Sequence, residues 1–109
     1  MKIHHREFEG GIWIEISGHI DESHCHCLSH FWDKCVAEDV KSLEMDFAKV
    51  VSLDDHAIQF LCETARRHLR KEAKIECRNL PETLMKSLTN FGLSRKGERI
   101  LLATAPEPN

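Results

Sequence analysis

A switch from strand spacing to helix spacing within residues 43–61 constrains the fold of this chain more than any other feature. Leu43, Met45 and Phe47 alternate with other residues, which predicts a strand with one buried face. A short turn is expected next, and Asp54 then opens a segment whose apolar residues have helical spacing. A strand that leads into an amphipathic helix is typical of an α/β sheet with helices packed on it.

The N-terminal part of the chain predicts a hairpin followed by a first helix. Strands are expected over residues 2–8 and 12–16, with the turn between them at Gly10-Gly11. Either Asp21 or Ser23 could cap the helix. That helix covers residues 22–37, and its apolar stripe is Leu28, Phe31, Trp32, Cys35 and Val36.

The C-terminal part continues the alternation of strands and helices. The expected elements are a strand at 42–47, a helix at 55–71, a short strand at Ile75 and Cys77, a helix at about 80–91 and a strand at 98–103. The apolar stripe of the second helix is Ile58, Leu61, Cys62, Ala65 and Leu69. The third helix is expected to open at Asn79-Leu80-Pro81 and to end at Gly92.

These elements predict one α/β domain over residues 1–104, with a disordered tail at 105–109. The domain should contain a mixed sheet of four or five strands with three main helices packed on it. A length of 109 residues suits a single core.

Composition narrows the classes of function. The longest apolar run, at residues 100–103, is far too short to span a membrane, so no membrane insertion is expected. A net charge of −3 gives no electrostatic reason to expect nucleic-acid binding. Five cysteines, an odd number, and an N-terminus without a secretory signal favour reduced thiols and a cytoplasmic protein.

The segment Asp54-Asp55-His56-Ala57-Ile58 resembles the signature of the STAS family, the sulfate-transporter and anti-sigma-factor-antagonist domain. In that family Asp-Ser-Ser-Gly-Leu or Asp-Thr-Ala-Gly-Leu opens a helix after a strand and a loop. Gly18-His19-Ile20-Asp21 also resembles the family's Gly-x-Leu-Asp, and Phe91-Gly92-Leu93 resembles the end of its third helix. The resemblance covers nearly the whole chain and implies a STAS-like fold.

The resemblance implies that the start of the second helix binds a protein partner. In anti-sigma-factor antagonists the first Ser or Thr after the Asp accepts a phosphate, and here that position is Asp55. A carboxylate there is a partial and irreversible imitation of phosphoserine. It implies either a domain held in the state that releases a kinase partner, or a partner that does not use phosphorylation. His56 replaces a second small hydroxyl residue, and Ala57 replaces Gly.

A purely structural interpretation of Asp54 and Asp55 is open as well. Asp54 can cap the helix, because its side chain can accept a hydrogen bond from a first-turn N–H group. The negative charge of Asp55 would then stabilise the helix by roughly 0.3–1 kcal/mol, through the helix dipole. On this interpretation neither carboxylate meets a partner.

The segment His-Cys-His-Cys-Leu-Ser-His at residues 24–30 invites a metal interpretation, since His and Cys are the usual zinc ligands. On a helix the weak candidate ligands His26, His30 and Asp33 share a solvent face, with Cys27 at its edge. The cluster is split between two faces, so the favoured expectation is no metal and no cofactor. Cys25, Cys35 and Cys62 are expected to act as small core residues.

Three functions are compatible with these observations. The leading one is a non-catalytic interaction module of the antagonist type, whose partner is an anti-sigma factor, a serine-kinase-like protein or another STAS-containing complex. The second is a STAS-like accessory subunit of a lipid-transport ABC system, and the third is a metal- or redox-responsive sensor. No set of nucleophile, base and orienting residue supports an enzyme. The basic run at residues 66–71 is expected to be a solvated helix end, with an acidic-partner patch as the alternative.

Overall fold

The computed structural model describes residues 1–37, 40–70, 74–93 and 100–104. Five strands, three α-helices and one short 3₁₀ helix follow each other along the chain. In order they are β1 (Lys2–Phe8), β2 (Gly11–Ile20), the 3₁₀ helix (Glu22–His24), α1 (Cys25–Ala37), β3 (Ser42–Leu53), α2 (Asp55–Arg70), β4 (Lys74–Leu80), α3 (Glu82–Asn90) and β5 (Ile100–Thr104).

The strands form one mixed sheet of five strands, as the sequence predicts, and their order in it is β1-β2-β3-β4-β5. β1 is antiparallel to β2, and the other three neighbouring pairs are parallel. Each parallel pair is joined by a helical crossover. Such crossovers are almost always right-handed, so strands that add in one direction place all three helices over the same face of the sheet.

The core lies between that face of the sheet and the helices. The strands contribute residues at alternate positions, and the helices contribute their apolar stripes. From the strands the buried side chains are Ile12, Ile14, Ile16, Ile20, Leu43, Met45, Phe47, Ile75, Cys77, Leu80 and Leu102. From the helices they are Leu28, Ala57, Leu61, Cys62, Thr64, Ala65, Leu84, Met85 and Leu88.

Strands β2 and β3 extend further than the sequence predicts. β2 runs on to Ile20 and β3 to Leu53, and these two residues are paired partners. The predicted short turn before Asp54 is therefore wrong, because the strand continues to the residue that precedes the helix cap. The pairing register shifts twice in this part, between Glu15 and Ser17 and between Gly18 and His19. Residues 48–53 are exposed or half-buried, so the alternation that marks a strand is absent there.

The hairpin turn lies one residue earlier than predicted. Glu9 and Gly10 form the turn, and Gly10 has a φ of +82°, which glycine adopts without strain. Gly11 is already the first residue of β2 and pairs with Phe8. A Cβ at Gly11 would lie 2.6 Å from the backbone carbonyl oxygen of Ser42, which cannot move aside as a side chain can, so this position needs a glycine for space.

The third helix begins later than predicted. Asn79 and Leu80 belong to the end of β4, and the helix starts at Glu82 after Pro81. Asn79 has a φ of +57°, and its amide Nδ2 donates to Asp46 Oδ1 at 2.9 Å. This left-handed residue lies where the pairing of β4 with β5 shifts register, between Cys77 and Leu80, and asparagine tolerates the conformation better than most residues.

The predicted end of α3 at Gly92 is confirmed. The N–H of Gly92 donates to the Thr89 carbonyl at 3.1 Å, and the N–H of Leu93 donates to the Leu88 carbonyl at 3.1 Å. With a φ of +98° at Gly92, these two bonds make a Schellman motif. The buried side chains of Leu88 and Leu93 flank the glycine and close the helix against the core.

Some predictions fall outside the described residues. These are the last residue of the second helix at 71, the first two residues of the last strand at 98–99, and the tail at 105–109. The side chains of Trp32, Cys35, Val36 and Leu69 also lie outside them. In the described ranges, no helix is long and apolar enough to cross a membrane.

Candidate functional site

The start of α2 is built around Asp54, which caps the helix as predicted. Its Oδ1 accepts a hydrogen bond from the N–H of Ala57 at 2.8 Å, and its carbonyl accepts from the N–H of Ile58 at 3.0 Å. The backbone N–H of Asp54 donates to the Ile20 carbonyl at 3.1 Å, so the cap is attached to the end of β2. The helix therefore starts at a position fixed by the sheet.

Asp54 also makes a contact that the sequence does not predict. Its second carboxylate oxygen, Oδ2, accepts from the N–H of Glu22 at 3.1 Å. Glu22 is the first residue of the 3₁₀ helix, so one carboxylate serves two helix starts at once. Free N–H groups at a helix start attract anions. Here the anion that they attract belongs to the chain itself.

Asp21 closes the start of the 3₁₀ helix in the same way. Its Oδ1 accepts from the N–H of Ser23 at 2.9 Å and also from the Ser23 hydroxyl. In return, Nδ1 of His24 accepts from the N–H of Asp21 at 3.2 Å, which completes a capping box. The hydroxyl of Ser23 holds the pKa of Asp21 below its ordinary value, so this carboxylate carries its charge at neutral pH.

Four carboxylates are gathered at these two helix starts: Asp21, Glu22, Asp54 and Asp55. We call them the acidic helix-start surface. His56 lies next to it, with Nδ1 at 4.0 Å from Glu22 Oε2. His19 flanks it, with Nδ1 at 2.6 Å from the Ser52 hydroxyl. Val51, which is 68% exposed, adds an apolar group at the end of β3.

The five residues predicted to contact a partner differ in accessibility. Asp55 and His56 are exposed, and Asp54 and Ile58 are half-buried. Ala57 is fully buried, so its methyl group packs in the core and cannot be part of a contact surface. A partner that approaches the start of α2 would meet Asp55 and His56 first.

The predicted His/Cys cluster does not converge on one point. His26, Cys27, His30 and Asp33 are all exposed on α1. Across the described ranges, no three His, Cys, Asp or Glu side chains are placed to hold a metal ion.

The cysteines have different environments. Cys62 and Cys77 are buried, as is expected of small core residues, whereas Cys25 is half-buried and Cys27 is exposed. Burial raises the pKa of the Cys25 and Cys62 thiols, and it raises the pKa of Cys77 to about 12. These three thiols therefore stay protonated and unreactive at neutral pH.

Comparisons with known proteins agree with this architecture. Residues 5–103 match the family model described as "Mlab, STAS domain". No curated protein matches the chain in sequence.

Several solved structures share the fold. The phosphorylated form of the Bacillus cell fate determinant SpoIIAA superposes with a TM-score of 0.74 at 14% identity, covering 94% of this chain and 92% of that one. The unphosphorylated anti-sigma factor antagonist SpoIIAA gives 0.72 at 12% identity, covering 96% and 90%. A serine-to-glutamate variant of RsbS from Moorella thermoacetica gives 0.70 at 16% identity, covering 94% and 87%. At such identities the likeness establishes the fold.

Proposed function

Because this chain belongs to the STAS domain family, we propose that it is a non-catalytic protein-interaction module of the anti-sigma factor antagonist type. The partner binds at the acidic helix-start surface and is an anti-sigma factor, a serine-kinase-like protein or another STAS-containing complex. The module acts in the cytoplasm and uses no cofactor. It does not bind nucleic acid, since its net charge is −3 and the surface offered is acidic.

The double hydrogen bond of Asp54 is the observation that carries this proposal. The two helix starts would otherwise present free N–H groups to an anion such as a phosphate. The Asp54 carboxylate takes these N–H groups itself, at 2.8 Å and 3.1 Å. The Asp54 carboxylate gives the surface a constant negative charge. No phosphorylation is needed to create that charge.

The position of Asp55 supports the absence of a phosphorylation switch. No residue from 54 to 57 carries a hydroxyl group, so the segment has no Ser or Thr acceptor. Two hydroxyls of neighbouring segments, those of Ser23 and Ser52, are bonded to Asp21 and His19. Asp55 instead exposes a permanent carboxylate at the first residue of the helix. The chain is thus suited to a partner that reads constant charge.

A pull-down from the native host, with mass spectrometry of the captured proteins, tests the proposal. The wild type should capture a protein of the anti-sigma or kinase-like class, and Asp55→Ser should change the amount captured. Asp33→Ser is the matched control, because Asp33 is an equally exposed aspartate in a helix that is not part of this surface. If Asp33→Ser and Asp55→Ser behave alike, the surface is not where the partner binds.

A second candidate is the accessory subunit of a lipid-transport ABC system. The observation that favours it is the description of the matching family, which names Mlab and not the antagonists. The same pull-down separates the two candidates, since capture of an ATPase and its permease would replace the antagonist role. Both candidates use the acidic helix-start surface, so the Asp55→Ser comparison applies to each.

A further inference from the structure

We propose a second binding site, between α2 and the end of α3, that takes an acidic peptide segment of a protein partner. The site is a groove of about 510 Å³ lined by Phe60, Glu63, Arg66, Arg67 and Phe91. That volume lies within the range of about 300–1,000 Å³ that is usual for ligand sites. The groove shares no residue with the acidic helix-start surface.

The groove is built from one face of α2 and the cap of α3. Phe60, Glu63 and Arg67 recur at helical spacing, so they line the same side of α2. Phe91 is the C-cap of α3 and is half-buried, as is Phe60. The guanidinium of Arg66 lies 5.3 Å from the centre of the Phe91 ring. This stacking holds one cation at the rim, where its N–H groups are free to point toward a ligand.

The charges of the groove are not balanced by its own residues. Glu63 is engaged by Gln59, whose Nε2 donates to Glu63 Oε1 at 3.3 Å. In the parts of the chain that the structure describes, neither Arg66 nor Arg67 pairs with a carboxylate. Both arginines are exposed. Two adjacent guanidinium groups that pair with no carboxylate of the described residues can bind carboxylates of a ligand through paired hydrogen bonds.

The chemistry of the lining selects the ligand. Two arginines require negative charge, and two half-buried phenyl rings offer contact to an apolar side chain. Two arginines and one glutamate give the groove a formal charge of +1, in a chain whose net charge is −3. A peptide with Asp or Glu on both sides of an aromatic or aliphatic residue satisfies both features.

The two sites lie at different parts of α2. Asp55 and Arg66 are eleven residues apart, which corresponds to roughly 16 Å along the helix axis. A partner could therefore touch each site with a segment of opposite charge. Because the sites are separate, failure at one leaves the other intact.

Selection from a random displayed peptide library on the immobilised full chain tests the site. Enriched peptides should carry at least two acidic residues next to an apolar one. They should lose about tenfold or more in affinity toward Arg66→Gln, the effect of removing one charged hydrogen-bond donor. Arg66→Lys keeps the charge but lacks the planar guanidinium group. Its affinity for the peptides should lie between those of the wild type and Arg66→Gln. Thermal unfolding of each variant confirms that it is folded.

Arg6→Gln is the matched control. Arg6 is also exposed and lies 5.0 Å from the centre of the Trp13 ring, but it belongs to β1. Peptide binding should be unchanged in Arg6→Gln and in Asp55→Ser. Enrichment of peptides without acidic residues, or equal losses in Arg6→Gln and Arg66→Gln, would overturn the proposal.

Two further outcomes would replace the ligand class. Displacement of the peptide by inorganic phosphate, beyond the effect of chloride at equal ionic strength, would make the groove a small-anion site. Self-association of the wild type that is abolished by Arg66→Gln would make the occupant the acidic helix-start surface of a second copy. Either result contradicts an acidic segment from a distinct partner.

Discussion

Asp54 and Glu22 are 32 residues apart in the sequence, and a hydrogen bond of 3.1 Å joins the side chain of one to the backbone of the other. The same carboxylate caps α2 through Ala57 at 2.8 Å. The 3₁₀ helix and α2 are therefore tied together at their starts. This bond holds together the two backbone segments that carry the acidic helix-start surface.

We expect Asp54→Ala to lower the free energy of unfolding by about 1–2 kcal/mol, because a helix N-cap and a second backbone partner are both lost. Asp55→Ala is the comparison, since it removes only a favourable charge at the helix start, worth about 0.3–1 kcal/mol. Urea unfolding followed by circular dichroism measures both. A cost for Asp55→Ala equal to that for Asp54→Ala would show that the two bonds of Asp54 contribute nothing beyond charge.

Asp55→Ser should change the affinity for the captured partner. The direction of that change, measured at two salt concentrations, identifies the role of Asp55. If Asp55 imitates phosphoserine, the substitution raises affinity for a kinase-like partner. If Asp55 contacts a basic partner, affinity falls, and it falls more at low salt, where charges are less screened. Titration of wild type and variant measures this, and equal affinities at both salt concentrations would leave Asp55 with a structural role only.

Incubation with a serine kinase of the anti-sigma type should add no phosphate at residues 54–57, since such kinases transfer to hydroxyl oxygens. Mass spectrometry of peptide 50–66 provides the measurement. Ser52 and Thr64 lie in the same peptide, so fragment ions must locate any modification. Thr64 is only 2% exposed, which leaves Ser52 as the accessible hydroxyl. Phosphate on a residue from 54 to 57 would contradict the prediction.

Thr64→Val should leave stability unchanged or raise it by about 1 kcal/mol. The Thr64 Oγ1 is buried in α2 and has no hydrogen-bond partner among the described residues, so the folded state carries the cost of its desolvation. Valine has nearly the same shape and the same branching at Cβ. The urea midpoints of the wild type and the variant measure the difference in stability. A clear loss of stability in Thr64→Val would mean that the hydroxyl has a hydrogen-bond partner in solution.

Alkaline pH should destabilise the fold through Cys77. Burial raises the pKa of this thiol from 9.0 to about 12. The unfolded chain thus releases the proton first as pH rises, and the folded state loses stability between pH 9 and about 12, by at most about 1.4 kcal/mol per pH unit. Below pH 9 this contribution is fully present.

Cys77→Ala separates this effect from other alkaline titrations. The variant should be less stable at neutral pH, because a small cavity forms in the core. Its free energy of unfolding should nevertheless decline less steeply above pH 9 than that of the wild type. No tyrosine is present to titrate in the same range. Parallel slopes for the two proteins would show that the Cys77 thiol is not the group responsible.

Local sequence patterns predicted most of the strands and helices, because alternation and helix capping depend on residues that are close together in the sequence. The alternation of Leu43, Met45 and Phe47 revealed the buried half of β3, and the N-cap at Asp54 revealed the start of α2. The outer half of β3 escaped prediction because its side chains are exposed and the strand is held by backbone pairing with β2. Spacing carries no signal for such pairing.

The sequence could not show contacts between distant segments. The bond from Glu22 to Asp54 depends on how β2 and β3 are paired. The groove depends on Phe91, which reaches α2 only after α3 has packed beside it. The basic residues Arg66 and Arg67 were visible in the sequence, but the placement of Arg66 over the Phe91 ring was not. The hydrogen bond and the groove both form only when the sheet is assembled.

The order of the strands in the sheet is also their order along the chain. A sheet of this kind can be assembled in the direction of protein synthesis, since each strand that leaves the ribosome finds its neighbour already made. The hairpin of β1 and β2 is the first template, and every later unit of helix and strand adds to the edge that the preceding one left open. N-terminal residues leave the ribosome first during synthesis. The acidic helix-start surface needs β2, the 3₁₀ helix, β3 and the first turns of α2, so all of its residues leave the ribosome before those that α3 adds to the groove.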